Sequence, residues 1–138
     1  MKKKQPTFEE AINFATFWCK AWDQGELSDE VLADRVSELL ASSNGARGFF
    51  VVSLSNESPL MDRLPECLIL KLRERKELVI DLTVRNLAMS SAMVLVHKRN
   101  KDNIKQSSSE MISSRCIELL RLLEPFAVKE RIERLLKA

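Results

Sequence analysis

From Glu66 to Glu124 the chain runs for 59 residues without a glycine or a proline. Strands folded into a sheet need tight turns at short intervals, and those turns draw on the two residues that adopt or fix backbone angles the others resist. The interval therefore reads as helix. Its breaks are expected only where polar residues cluster, at ERKE (Glu74 to Glu77) and at NKDN (Asn100 to Asn103).

Between those breaks lies ELVIDLTVRNLAMSSAMVLVHKR, Glu77 to Arg99. At 3.6 residues per turn Ile80, Val84, Leu87, Ala88, Ser91 and Leu95 share one face, and Leu82, Met89, Met93 and Val96 cover most of the others. A helix apolar nearly all round belongs inside a protein, so 77–99 is read as a central buried helix, with Leu87 and Leu95 in the core. Asp81, Arg85 and Asn86 interrupt the segment and argue against a membrane span.

The flanking sequence supplies further helices. Thr7-x-x-Glu10 is a capping box that opens a first helix ending at Gly25. Phe8, Ile12, Ala15, Cys19 and Trp22 recur on it at helical spacing, and Phe14, Phe17 and Trp18 widen the face into an aromatic stripe expected in the core, with a ligand groove as the alternative. Ser28 caps a second helix with Leu32, Val36, Leu39 and Leu40 on its buried face, and Ser42 to Gly45 stop it. Residues 46–55 (ARGFFVVSLS) mix strand propensity with helical surroundings, and read as a short buried helix with a small hairpin as the alternative. Pro65 suits the start of the next helix. Ser107-x-x-Glu110 is a second capping box, ahead of Ile112, Cys116, Leu119, Leu120 and Leu123. Pro125 then stops or kinks the chain before a last amphipathic helix bearing Val128, Ile132, Leu135 and Leu136. The expected fold is all-α: one single-domain helical bundle, residues 1–138, of about five to seven helices around the 77–99 helix.

Composition narrows the function only slightly. The 138 residues carry 22 lysines and arginines against 20 acids, a balance that favours no class of partner. Cys19, Cys67 and Cys116 are odd in number and each sits among apolar residues, as buried free thiols do in a reducing compartment. MKKKQPTFEE starts basic but has no apolar signal core, so the cytoplasm is the expected location.

Three groups of residues are candidates for chemistry. Gly45, Arg47 and Gly48 would suit an anion site at a helix start, where amide donors and a guanidinium converge. The stretch lacks the Lys-Ser/Thr pair of a phosphate-binding loop, and a tight helix–helix turn is the favoured account of it. Asp81, Arg85 and Asn86 form a polar group amid apolar neighbours that must be paired if buried. His97, Lys98, Arg99, Lys101 and Lys105 are a basic run suited to a polyanion or to a solvated helix end. With one histidine and no cysteine pair at metal-ligand spacing, neither a metal site nor a cofactor is indicated. No nucleophile, base and orienting group can be assembled, so no catalytic residue is assigned. The sequence thus points to a non-enzymatic module that binds a protein partner or a second copy of itself, without a membrane. A nucleic-acid-associated protein using the basic second half is the alternative.

Overall fold

The computed structural model describes residues 5–123 and 125–137, apart from the side chains of 125–128 and 130. The basic start Met1 to Lys4 accordingly lies outside the described residues, as does the side chain of Val128 in the last helix. Among the described residues the protein is all-α, with seven α-helices, one short 3-10 turn and no strand. Helices α1 (Phe8–Asp23), α2 (Asp29–Leu40), α3 (Ser43–Ser55), the 3-10 turn (Pro59–Asp62) and α4 (Glu66–Glu74) precede α5 (Lys76–Arg99), α6 (Asn103–Leu122) and α7 (Pro125–Lys137). The chain divides into two compact units, Met1–Val79 and Ile80–Ala138.

In the first unit the helix starts follow their capping chemistry. Thr7 Oγ1 accepts from the Glu10 amide at 3.1 Å while Glu10 Oε1 accepts from the Thr7 amide at 3.0 Å, so the box satisfies two of the donors a helix start leaves open. Gly25 ends this helix region with φ +78°, a backbone state that glycine adopts without penalty. Ser28 caps α2 through the Val31 amide, and Ser42 caps α3 through the Gly45 amide. Ala41 and Ser42 alone separate α2 from α3, because Ser43 to Gly45 form the first turn of the next helix rather than a stop. The 46–55 segment is the body of α3. Its Phe and Val have strand propensity, but a cap before them and burial of Phe49, Phe50, Val52 and Leu54 decide for helix.

Ala15 and Cys19 of the expected α1 face are in the core of this unit, but the aromatic rings of that face are not. The buried face of α1 is Ala11, Ala15, Cys19 and Ala21, whereas Phe14 and Phe17 are exposed and Phe8, Trp18 and Trp22 half-buried. Gly48 of α3 explains the inversion: a Cβ built there would lie 2.5 Å from Ala11 Cβ and 3.0 Å from the backbone of Ala11 and Ile12. Two helices that cross this closely admit only small side chains between them, so the large rings of α1 are turned away. The rings that fill the core are Phe49 and Phe50, edge to face at 5.1 Å, with Leu32, Leu40, Leu54, Leu60, Leu68 and Leu72 also buried. Helix α2 packs on α3 and α4, and Trp22 Nε1 donates to Asp29 Oδ1 at 2.7 Å to join the end of α1 to the start of α2.

The buried part of α5 is its first half, where Val79, Ile80, Leu82, Thr83 and Val84 are all buried. Beyond it only Ser90 is buried. Leu87 is half-buried and Leu95 is 57% exposed, so the core role expected of Leu95 is not realised. Within the second unit Ser90 Oγ lies 2.8 Å from Ser113 Oγ, tying α5 to α6. Ala88, Ser91 and Ala92 are exposed. Lys101, with φ +56°, turns the chain between the two helices. Helix α6 begins at Asn103, with the Asp102 carboxylate accepting from the Lys105 amide at 3.1 Å. Ser107 is therefore inside the helix and its box with Glu110 does not open it; Glu110 accepts from Gln106 Nε2 at 3.0 Å instead. Cys116, Leu119, Leu120 and Leu123 are buried as the periodicity requires.

Candidate functional site

Aromatic side chains left outside a core are the most conspicuous chemistry of the first unit. Phe14 and Trp18, one turn apart on α1, stack with ring centroids 5.5 Å apart and planes 12° from parallel. They line one wall of a cleft of about 540 Å³ whose other side is the end of α2, Leu39, Ala41 and Ser42, with Glu10 and Glu38 at its rim. Glu10 is held by the capping box, and Glu38 pairs with Arg35 at 3.2 Å. Phe17, one turn on from Phe14, is 68% exposed. The arrangement is an apolar cleft beside an apolar knob on one helix. It can bury apolar surface.

The candidates named from sequence fall on three stretches of the chain, one in the first unit and two in the second. Gly45 and Gly48 are buried inside α3, the first with its amide donating to Ser42 Oγ and the second against α1. The Arg47 guanidinium lies over the Phe8 ring, 4.8 Å from its centroid, a cation–π contact. Asp81 is the hub of a three-residue ion pair. Arg131 of α7 places Nε 2.8 Å and Nη2 2.6 Å from Oδ1, and Arg85 places Nε 3.1 Å from Oδ2. Asn86 is spent within α5, donating to the Leu82 carbonyl at 2.8 Å. Arg131 was invisible to sequence reasoning because 50 residues separate it from Asp81 and no local spacing links them.

The basic run occupies the turn between α5 and α6. His97 is half-buried, and Lys98, Arg99, Lys101 and Lys105 are exposed. Lys105 Nζ lies 3.9 Å from Asp102 Oδ2, so one carboxylate already sits among these cations. Arg85 and His97 are twelve residues apart on one helix, about 18 Å along its axis, and do not share a pocket. Burial raises the thiols of Cys19 to about 11 and Cys116 to about 12, and Cys67 is raised by desolvation and then by the carboxylates of Glu30 and Asp29. All three are free. Among the described residues no group of three or more His, Cys, Asp or Glu is placed to hold a metal ion, and α5 is the one helix long and apolar enough to cross a membrane, with 33% of its apolar window buried.

These features define a small all-helical protein with an exposed aromatic cleft. Residues 7–138 match the family described as uncharacterised conserved protein UCP020893, and the chain belongs to that family. No curated protein and no solved structure matches it.

Proposed function

We propose that the chain is a non-enzymatic interaction module of the cytoplasm that pairs with a second copy of itself through α1. The observation that carries this reading is the exposed aromatic face of that helix, with the Phe14–Trp18 cleft on one side and the Phe17 knob on the other. A two-fold interface needs one patch that is complementary to itself. In an antiparallel pair of α1 helices centred between Phe14 and Phe17, each Phe17 lies opposite Phe14 of the second copy and beside its cleft. Glu9 and Lys20 share one flank of the helix, near opposite ends. Antiparallel pairing sets like flanks side by side, so Lys20 of one copy meets Glu9 of the other, twice. Buried aromatic anchors with a charged rim are the usual anatomy of such interfaces. Three free thiols suit a reducing compartment.

Sedimentation equilibrium at micromolar concentration is expected to show a dimer of the 15.8 kDa chain. Phe17→Glu should return the monomer with an unchanged helical circular dichroism spectrum, since the side chain is already exposed. A wild-type monomer at every concentration would remove the reading. The polyanion alternative has one supporting feature, the exposed cations of the α5–α6 turn, and predicts duplex DNA binding that weakens steeply with salt.

A further inference from the structure

The second half of α5 exposes an apolar strip that the fold does not use. Met89, Met93, Leu95 and Val96 are all exposed, as are Ala88 and Ala92. At 100° per residue these six cover one side of the helix, while Ser90, Val94 and His97, the buried and half-buried positions, lie on the other with the Ser90 tie to α6. The strip is about 12 Å long. Arg85 and Arg99 lie on the same side, one beyond each end and about 21 Å apart. Arg85 keeps its bond to Asp81 and is still 67% exposed. From Leu82 to Lys101 there is no acidic residue, and Lys98 and Lys101 add charge at the far end.

Three kinds of occupant could cover such a face, and charge separates them. A second copy is opposed: antiparallel pairing about Ala92 sets Arg85 of one chain against Arg99 of the other at both ends, and parallel pairing sets each arginine against itself. A nucleic-acid backbone would satisfy the cations but gives six apolar side chains nothing to bury against. An anionic lipid bilayer offers both surfaces at once, phosphates at the level of the arginines and acyl chain beneath the strip.

We propose that this face of α5 is a docking surface for an anionic lipid bilayer, lying in the headgroup–acyl boundary with Met89, Met93, Leu95 and Val96 turned inward and Arg85, Lys98, Arg99 and Lys101 at the headgroup phosphates. The helix lies on the bilayer rather than crossing it, because its first half is buried in the fold and carries Asp81, which is paired to Arg131 of α7. The inference uses a different helix from the self-pairing face and stands apart from it.

The test is cosedimentation of the full chain with vesicles of phosphatidylcholine alone and of phosphatidylcholine with phosphatidylserine, beside a duplex DNA arm at the same salt. Binding is expected to the anionic vesicles and not to the neutral ones. Lys98→Gln with Arg99→Gln should weaken it roughly 25-fold, about fivefold per cation at a surface rich in anionic lipid. Met89→Gln with Met93→Gln, both at exposed positions, should weaken it at least tenfold while leaving the circular dichroism spectrum unchanged. Met93→Trp should show a fluorescence blue shift with anionic vesicles, read against the wild-type signal of Trp18 and Trp22. Absence of binding to anionic vesicles would overturn the proposal. So would binding that survives the methionine changes, or DNA binding of equal strength lost only with the cations, since either outcome would mark a simple polyanion contact.

Discussion

Gly48→Ala tests the feature that sets the whole first unit, the close crossing of α1 and α3. In an isolated helix the change is favourable by about 1 kcal/mol, because glycine gives up more backbone freedom than alanine. In this structure the added methyl would sit 2.5 Å from Ala11 Cβ and 3.0 Å from Ala11 C and Ile12 N. Two of those three atoms are backbone and cannot rotate aside, so α1 must move by about 1 Å along its contact with α3. Overpacking of this kind costs about 1–3 kcal/mol, and the backbone contacts place it toward the upper end. Subtracting the propensity gain leaves a net destabilisation of about 1–2 kcal/mol.

Both tryptophans lie on α1, so urea unfolding followed by their fluorescence reports this unit directly. Ala11→Gly removes the nearest of the three clashing atoms, and Ala11→Gly combined with Gly48→Ala should therefore recover part of the loss. The expected coupling is at least about 0.5 kcal/mol in the favourable direction. Backbone contacts at 3.0 Å persist in the double variant, so the rescue is incomplete. A Gly48→Ala protein more stable than wild type by the full propensity gain would refute the close crossing, and with it the reason given for the outward turn of Phe14 and Phe17.

Three further outcomes follow from burial and pairing. Ile80→Ala should cost about 2–5 kcal/mol, since Ile80 is buried, whereas Leu95→Ala should cost less than about 0.5 kcal/mol in chemical denaturation. Asp81→Asn takes the carboxylate from Arg131 and Arg85, whose three contacts lie between 2.6 and 3.1 Å; a loss of about 1–2 kcal/mol and faster amide exchange in α7 are expected. Burial holds the Cys19 and Cys116 thiols protonated to about pH 11 and 12, while unfolded thiols ionise near pH 8.5. The unfolded chain therefore loses protons first. Stability is unaffected by these groups below about pH 8 and falls as pH rises from there toward 12. Replacing Cys19 with alanine should flatten that decline for the first unit and Cys116 for the second, and an unchanged pH slope in both variants would contradict the assignment.

The fold was largely legible because its helices are written in local terms. Thr7 and Glu10, Ser28, and the polar residues around Arg75 and Asn100 act within one turn of where they sit, and no distant residue has to agree. The start of α6 was misplaced for a related reason. Asp102 and Ser107 both offer an oxygen to a helix start, and the turn made by Lys101 at positive φ decides for the earlier one. The Asp81–Arg131 pair was not legible, because nothing in either segment names the other.

The candidate faces were hidden by something more general than distance. Hydrophobic periodicity says which side of a helix is apolar, but α1 and α5 are apolar on more than one side, and the neighbour then chooses. On α1 the choice went to alanines and a cysteine, because Gly48 allows α3 to approach where a phenylalanine would hold it off. On α5 Ser90 bonds to Ser113, and the methionines are left outside. On α1, and at Ser90 on the second half of α5, a small residue met the neighbour while large apolar ones remained exposed. A buried ring would have stabilised the fold by a few kcal/mol, so leaving Phe14, Phe17, Met89 and Met93 uncovered forgoes stability within the chain. That loss is recovered only if something outside the chain covers them. The two surfaces differ in charge as well as in shape: Phe14 and Phe17 stand between a glutamate and a lysine that can pair across a two-fold axis, whereas Met89 and Met93 stand between two arginines that cannot. The same physical argument, applied to each flank, is the reason a copy of the chain is proposed for the first face and an anionic surface for the second.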